Sequence, residues 1–240
     1  MNNCKNCNEP IHGNYCSNCG CPAKLKRIDR NYIFQEAGEI LCANKGFLFT
    51  IKSLLLKPGE SVRLYITEDR YRFVKPITFL IITSLVYAFV NHFFSIDILP
   101  QYYDPTATPT INKIIIWMGD NPGYTSIITG LYLAFWIKIF FKKYGFNLYE
   151  IFVLLCFVSG FSSLITSAAT ILQSIIPLSI DLITISIVIS LFYTFWAVGQ
   201  FFDRKKAASY IKAAVAYIVG MLVLMFIGAV GAVIEIFIMQ

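Results

Sequence analysis

"PITFLIITSLVYAFVNHFF", Pro76 to Phe94, decides what kind of molecule this is: the stretch contains no Asp, Glu, Lys or Arg. A helix needs about 20 mostly apolar residues to cross the hydrocarbon core of a bilayer. Proline opens the run, where its missing N–H costs a helix little. Four further stretches qualify as spans: Gly123 to Phe141 behind Pro122, Leu148 to Gln173, Leu178 to Gln200, and Ile211 to Ile238. Pro177, in "SIIPLS", marks a tight external hairpin between the third and fourth. The expected fold is an all-α polytopic membrane bundle of five transmembrane helices at about 76–94, 123–141, 148–173, 178–200 and 211–238.

Composition points the same way. Of 240 residues, 57% are hydrophobic and 14% charged, against about 25% charged in an average soluble domain. The charge is uneven: 12 of the 20 Lys and Arg residues lie in residues 1–75. Basic residues are enriched in cytoplasmic loops. Here they precede the first span (Arg70, Arg72, Lys75), follow the second (Lys142, Lys143) and separate the fourth from the fifth (Arg204, Lys205, Lys206, Lys212). The segment from Ser95 to Pro122 has Lys113 alone against Asp97, Asp104 and Asp120. The expected topology is N-terminus inside and C-terminus outside. The polar, cysteine-rich start lacks the pattern of a cleavable signal peptide, so the first span is expected to act as its own insertion signal.

The first residues differ in character from the rest. Cys4, Cys7, Cys16 and Cys19 follow C-x2-C-x8-C-x2-C. Each C-x2-C can curl into a knuckle, and four thiolates in a tetrahedron suit structural Zn²⁺. About 20 residues cannot bury a useful core, so the metal would supply the folding free energy. Two disulfides are the alternative, but these suit oxidising compartments, and the basic flanks place this head in the cytosol. Cys21 reads as a spare thiol and His12 as a surface-turn histidine; neither is assigned to the metal. Cys42 and Cys156 fall on apolar faces, where a free cysteine behaves as a small hydrophobe. The expected domains are a zinc ribbon over 1–23, a cytosolic linker with amphipathic interfacial helices over 24–75, and the membrane bundle over 76–240.

In the linker, Ile33, Phe34, Ala37, Ile40 and Leu41 recur at helical spacing, followed by Phe47, Leu48, Ile51, Leu54 and Leu55. The second stripe stops at Pro58-Gly59. With Lys45, Lys52 and Lys57 alongside, it suits either a helix lying among lipid headgroups or one packed beneath the bundle. Arg63, Arg70, Arg72 and Lys75 read as lipid-headgroup or phosphate contacts.

The block from Gly46 to Leu80 resembles the signature of an uncharacterised bacterial membrane family, catalogued as a domain of unknown function. The matching positions are Gly46, Phe47, Leu48, Thr50, Leu54, Pro58, Gly59, Arg63, Tyr65, Arg70, Arg72 and Pro76. The chain departs from the family at Glu68-Asp69, where Gly-Lys is usual, and at Cys21, where a polar residue is usual. The resemblance implies an N-terminal zinc ribbon and residence in the bacterial cytoplasmic (inner) membrane; it implies no activity. A five-span plan with this orientation also resembles Yip1-type proteins in topology alone, which transfers no function.

Function should leave costly polar groups at membrane depth. Glu150, Asp181 and Glu235 all fall near span ends, Lys138 can snorkel, and no span carries a carboxylate clearly at mid-depth. Ser159, Ser163, Thr166, Ser167 and Thr170 form a polar seam on the third span. Ala216/Gly220 and Gly228/Ala232 give small-xxx-small spacing on the fifth, a close-packing signature. Trp117, Trp136 and Trp196 read as interface anchors. No nucleophile–base grouping, phosphate loop or paired carboxylate is apparent, so no enzymatic activity is expected. Two functions follow: a membrane protein whose ribbon docks a cytosolic protein partner or senses metal or redox state, or a transporter or lipid-handling protein that uses the seam. Membrane lipid is an expected partner and nucleic acid is not, since the ribbon lacks a base-reading helix. Oligomeric state is not legible.

Overall fold

A computed structural model describes residues 10, 13, 17–18, 46–68, 72–94, 109–176 and 180–239. The chain divides into two compact units, Met1–Asn44 and Lys45–Gln240. In the first unit the described positions include a turn at Ser17–Asn18, the two residues inside the second C-x2-C. The four cysteines themselves, with His12, Cys21, Cys42 and the stripe from Ile33 to Leu41, lie outside the described residues.

The described part of the second unit is all helical. Its helices are α1 Gly46–Leu56, α2 Pro58–Thr67, α3 Pro76–Phe93, α4 Pro109–Asp120, α5 Pro122–Phe140, α6 Leu148–Ile175, α7 Leu182–Asp203 and α8 Ala207–Met239. Five of them, α3, α5, α6, α7 and α8, are long and apolar enough to cross a membrane. Large apolar side chains stand exposed along them: Phe89 is 66% exposed, Phe192 64% and Met225 72%. Water would not tolerate such a surface, and acyl chains would; this is the exterior of an integral membrane protein.

The span positions match the sequence expectation, with no end moved by more than four residues. α7 starts at Leu182 rather than near 178 because Asp181 caps it, its Oδ1 accepting from the N–H groups of Ile183 (3.0 Å) and Thr184 (3.2 Å). α6 opens on a capping box: Glu150 N–H donates to Asn147 Oδ1 at 2.8 Å, and Asn147 N–H donates back to Glu150 Oε2 at 2.7 Å. Glu150 therefore serves a helix start. Gly145, at φ 78°, makes the left-handed step into this loop.

Hydrogen bonds from the Thr184 hydroxyl first, and then from backbone N–H groups, hold the Asp181 carboxyl below its ordinary range. A depressed folded-state pKa gives stability above the unfolded value, about 4, that disappears as pH falls through the folded one. Wild type is therefore expected to outlast Asp181→Asn in thermal unfolding at pH 6. The gap should close as the pH is lowered toward 3, because asparagine still caps.

Two helices were not anticipated. α4 fills part of the segment read as an external loop. Its first turn is pinned to the far end of α8, with Thr110 Oγ1 donating to Glu235 Oε1 at 2.8 Å. α2 begins at Pro58, where the sequence suggested a stop. The same proline that ends α1 is well suited to the first position of the next helix.

The core lies where α3, α5, α6 and α7 meet: Phe79, Leu80, Ala134, Ile137, Leu154, Phe157, Ala197 and Phe201 are at most 1% exposed. α3 and α6 approach closely at Gly160, where an added Cβ would sit 2.8 Å from both Phe79 Cδ1 and Thr83 Oγ1. On α8, Ala216 is fully buried and Gly220 lies against Trp136 and Leu133. No atom lies within 4 Å of a Cβ placed on Gly228. The small-residue face is thus packed in the first half of α8 and open in the second.

Candidate functional site

The α1–α2 hairpin, like α4, is a part of the second unit that no requirement of membrane crossing explains. α1 buries Gly46, Thr50 and Leu54 and leaves Leu48, Leu55 and Leu56 exposed. Its last turn reaches α7, where the Tyr193 hydroxyl donates to the Leu54 carbonyl at 3.0 Å. That bond satisfies a carbonyl a helix end would otherwise orphan. Tyr193 lies ten residues, about 15 Å of helix, before Asp203. α1 therefore packs alongside the bundle through one face and leaves the other exposed. Thr50 ties its first turn to the chain leading into α3: the hydroxyl donates to Gly46 O at 2.6 Å and accepts from Val74 N–H at 3.1 Å.

α2 is latched more tightly. Gln200 of α7 is buried, and its Oε1 accepts from the N–H of Gly59 at 2.8 Å and, more weakly, from Glu60 at 3.4 Å. These are donors of the first turn, which has no side-chain cap of its own. The backbones nearly touch: a Cβ on Gly59 would fall 2.3 Å from Phe201 N and 2.4 Å from Ala197 O. At the outer edge Glu60 Oε1 accepts from Arg204 Nη1 at 2.6 Å, with Lys57 Nζ 3.6 Å from Oε2. Half-exposed ion pairs of this kind contribute about 0–1 kcal/mol, so the buried amide and the backbone contact hold the hairpin. The Ser61 hydroxyl donates to Ser53 O at 3.0 Å, closing the hairpin on itself.

The residues read as headgroup contacts are distributed along this element. Arg63 lies on α2 with its guanidinium carbon 5.8 Å above the Phe146 ring, in the loop before α6. Arg72 and Lys75 are exposed on the segment leading into α3, and Arg70 lies outside the described residues. Lys138 turns toward the α6 loop, its Nζ donating to the Phe146 carbonyl.

The seam divides by chemistry. Ser163 donates to Ser159 O at 3.1 Å, Thr166 to Ser162 O at 3.2 Å and Ser167 to Ser163 O at 2.7 Å. Such back-bonding satisfies each hydroxyl within its own helix. Thr170 differs: it is fully buried and its hydroxyl has no partner, as is true of the buried hydroxyls of Ser84 and Ser190. Trp136 packs on Gly220, and its indole N–H is buried with no hydrogen-bond partner.

Among the described residues no group of three or more His, Cys, Asp or Glu side chains could hold a metal ion. Gln200, Tyr193 and Gly59 carry the latch, and sequence reasoning gave none of them that role. One signal was present: Gln200 is a lone amide inside "FWAVGQFF", and polar groups in spans are costly enough to demand a partner.

The comparisons with known proteins fall on this same element. Residues 44–88 match a family model described as "Protein of unknown function (DUF3667)". No curated protein and no solved structure matches the chain. The matched segment runs from the start of α1, through the latch at Gly59, to the middle of α3, and its likeness to that family covers both the hairpin and its first membrane anchor.

Proposed function

We propose that this is a non-enzymatic, multi-pass protein of the bacterial cytoplasmic membrane, with a cytosolic zinc ribbon that docks a protein partner or senses metal or redox state. Five apolar spans form the anchor, the N-terminus lies inside and the C-terminus outside. Cys4, Cys7, Cys16 and Cys19 hold the zinc; four thiolates close its coordination sphere, which suits a structural ion. The observation that carries the reading is the C-x2-C-x8-C-x2-C spacing on a chain that 20-odd residues later enters a latched hairpin. The turn at Ser17–Asn18 supports it, because a knuckle needs a turn between its thiols.

Purified protein is expected to hold about one zinc per chain. Cys4→Ser with Cys16→Ser should release it and abolish capture of a cytosolic partner, while the thermal midpoint of the bundle stays unchanged. Protein without bound metal, with those thiols joined as cystines, would overturn the assignment.

A second reading, a transporter or lipid-handling protein, is supported by the unpartnered buried hydroxyl of Thr170 within the seam. Movement of ions or labelled lipid in liposomes that is lost in Ser163→Phe would favour it over docking.

A further inference from the structure

At one end of the bundle a cavity of about 790 Å³ opens between the end of α5 and the start of α8. Lys142 and Lys143, in the turn after α5, line it from one side, and Lys206 and Lys212, flanking the start of α8, from the other. Ile139, Phe140 and Ala208 supply its apolar walls. Tyr144 and Ser209 also line it, with their hydroxyl oxygens 3.4 Å apart. Behind them Phe141 stacks on Phe202 with centroids 4.0 Å apart, and Tyr144 packs on the same ring at 5.4 Å.

The charge in this cavity is unbalanced. Asp203 pairs with Lys206 at 3.0 Å. Among the described residues no carboxylate lies within ion-pairing distance of Lys142, Lys143 or Lys212. Four lysines against one carboxylate leave three positive charges uncompensated. Four exposed lysines gathered around one concave, partly apolar site give it a local positive potential that attracts anions.

We infer that this cavity binds the phosphate-bearing headgroup of an anionic membrane lipid. Lys142, Lys143 and Lys212 would meet the phosphate, and the Tyr144 hydroxyl would donate to a headgroup oxygen, with Ser209, buried at 2% exposure, behind it. Two observations favour a lipid over a free phosphate ion. The volume matches sites for organic ligands (~300–1,000 Å³) and exceeds what a bare oxyanion fills. The apolar walls continue onto the outward face of α5, where Ile139 and Phe135 are 50% and 54% exposed, one turn apart, in position for an acyl chain. Basic pockets between membrane helices are a recurrent form of headgroup site.

The test is native mass spectrometry of the full-length protein from nanodiscs containing phosphatidylglycerol and phosphatidylcholine. Wild type should retain phosphatidylglycerol preferentially. Each lysine near a headgroup contributes roughly fivefold, so K142A/K143A/K212A should weaken retention on the order of 100-fold. Lys→Arg at the same three positions should preserve it, which separates charge from folding. Ala208→Trp, filling the exposed wall without changing charge, should also abolish it. Retention by the triple alanine variant, or by Ala208→Trp, would overturn the site. Displacement of phosphatidylglycerol by millimolar inorganic phosphate or glycerol phosphate would overturn the lipid assignment in favour of a soluble anion.

Discussion

Gly59→Ala should unseat α2 from α7 and lower the thermal midpoint in detergent by roughly 10 °C, or about 3 kcal/mol. The added Cβ would sit 2.3 Å from Phe201 N, 2.4 Å from Ala197 O and 2.7 Å from Gln200 C. All three are backbone atoms of a helix inside the core, so no rotamer change can relieve the overlap; the helices must separate. Separation breaks the Gly59 N–H bond to Gln200 and strips burial from Val62, which is 1% exposed. Gly228→Ala is the control. No atom lies near its Cβ, and alanine is the better helix former by about 1 kcal/mol, so the midpoint should hold or rise. A Gly59→Ala protein as stable as wild type would show that the hairpin is not seated on α7.

The second large effect is at the acceptor. Gln200→Leu keeps the volume but leaves the Gly59 N–H buried without a partner, at a cost of about 1–3 kcal/mol. Gln200→Glu retains an acceptor at a helix N-terminus, where a negative charge is favoured, and should recover part of the loss despite the cost of burying that charge. Because the two positions share one contact, Gly59→Ala combined with Gln200→Leu should cost less than the sum of the single changes. Thermal unfolding of the four variants measures the coupling directly.

Most of the span positions were legible because a bilayer imposes a one-dimensional rule: length and lack of charge suffice. The same rule is blind to elements that neither cross nor dissolve. α4 carries Lys113 and Asp120 and is 12 residues long, so it read as loop. α2, with a low apolar content in "PGESVRLYIT", read as the end of a stripe. Both exist because tertiary partners satisfy them: Glu235 at the start of α4, Gln200 at the start of α2. The seam was legible as composition and not as chemistry. Periodicity placed the serines on one helix without revealing that Ser163 and Ser167 bond their own backbone while Thr170 does not.

The lysine cavity shows the same division. Its four cations read along the chain as orientation signals, since Lys142 and Lys143 are more than 60 residues from Lys206 and Lys212. Only antiparallel packing of α5 on α8 brings them around one space. Residue type and local separation were enough to show that five helices are apolar enough to span, where basic residues cluster, and that two cysteine pairs have zinc spacing. The tertiary structure alone decided that α2 is held by an amide 141 positions away, and that a glycine is required where two backbones meet. Those depend on which surfaces touch, and no local pattern encodes a contact between residues so far apart in the chain.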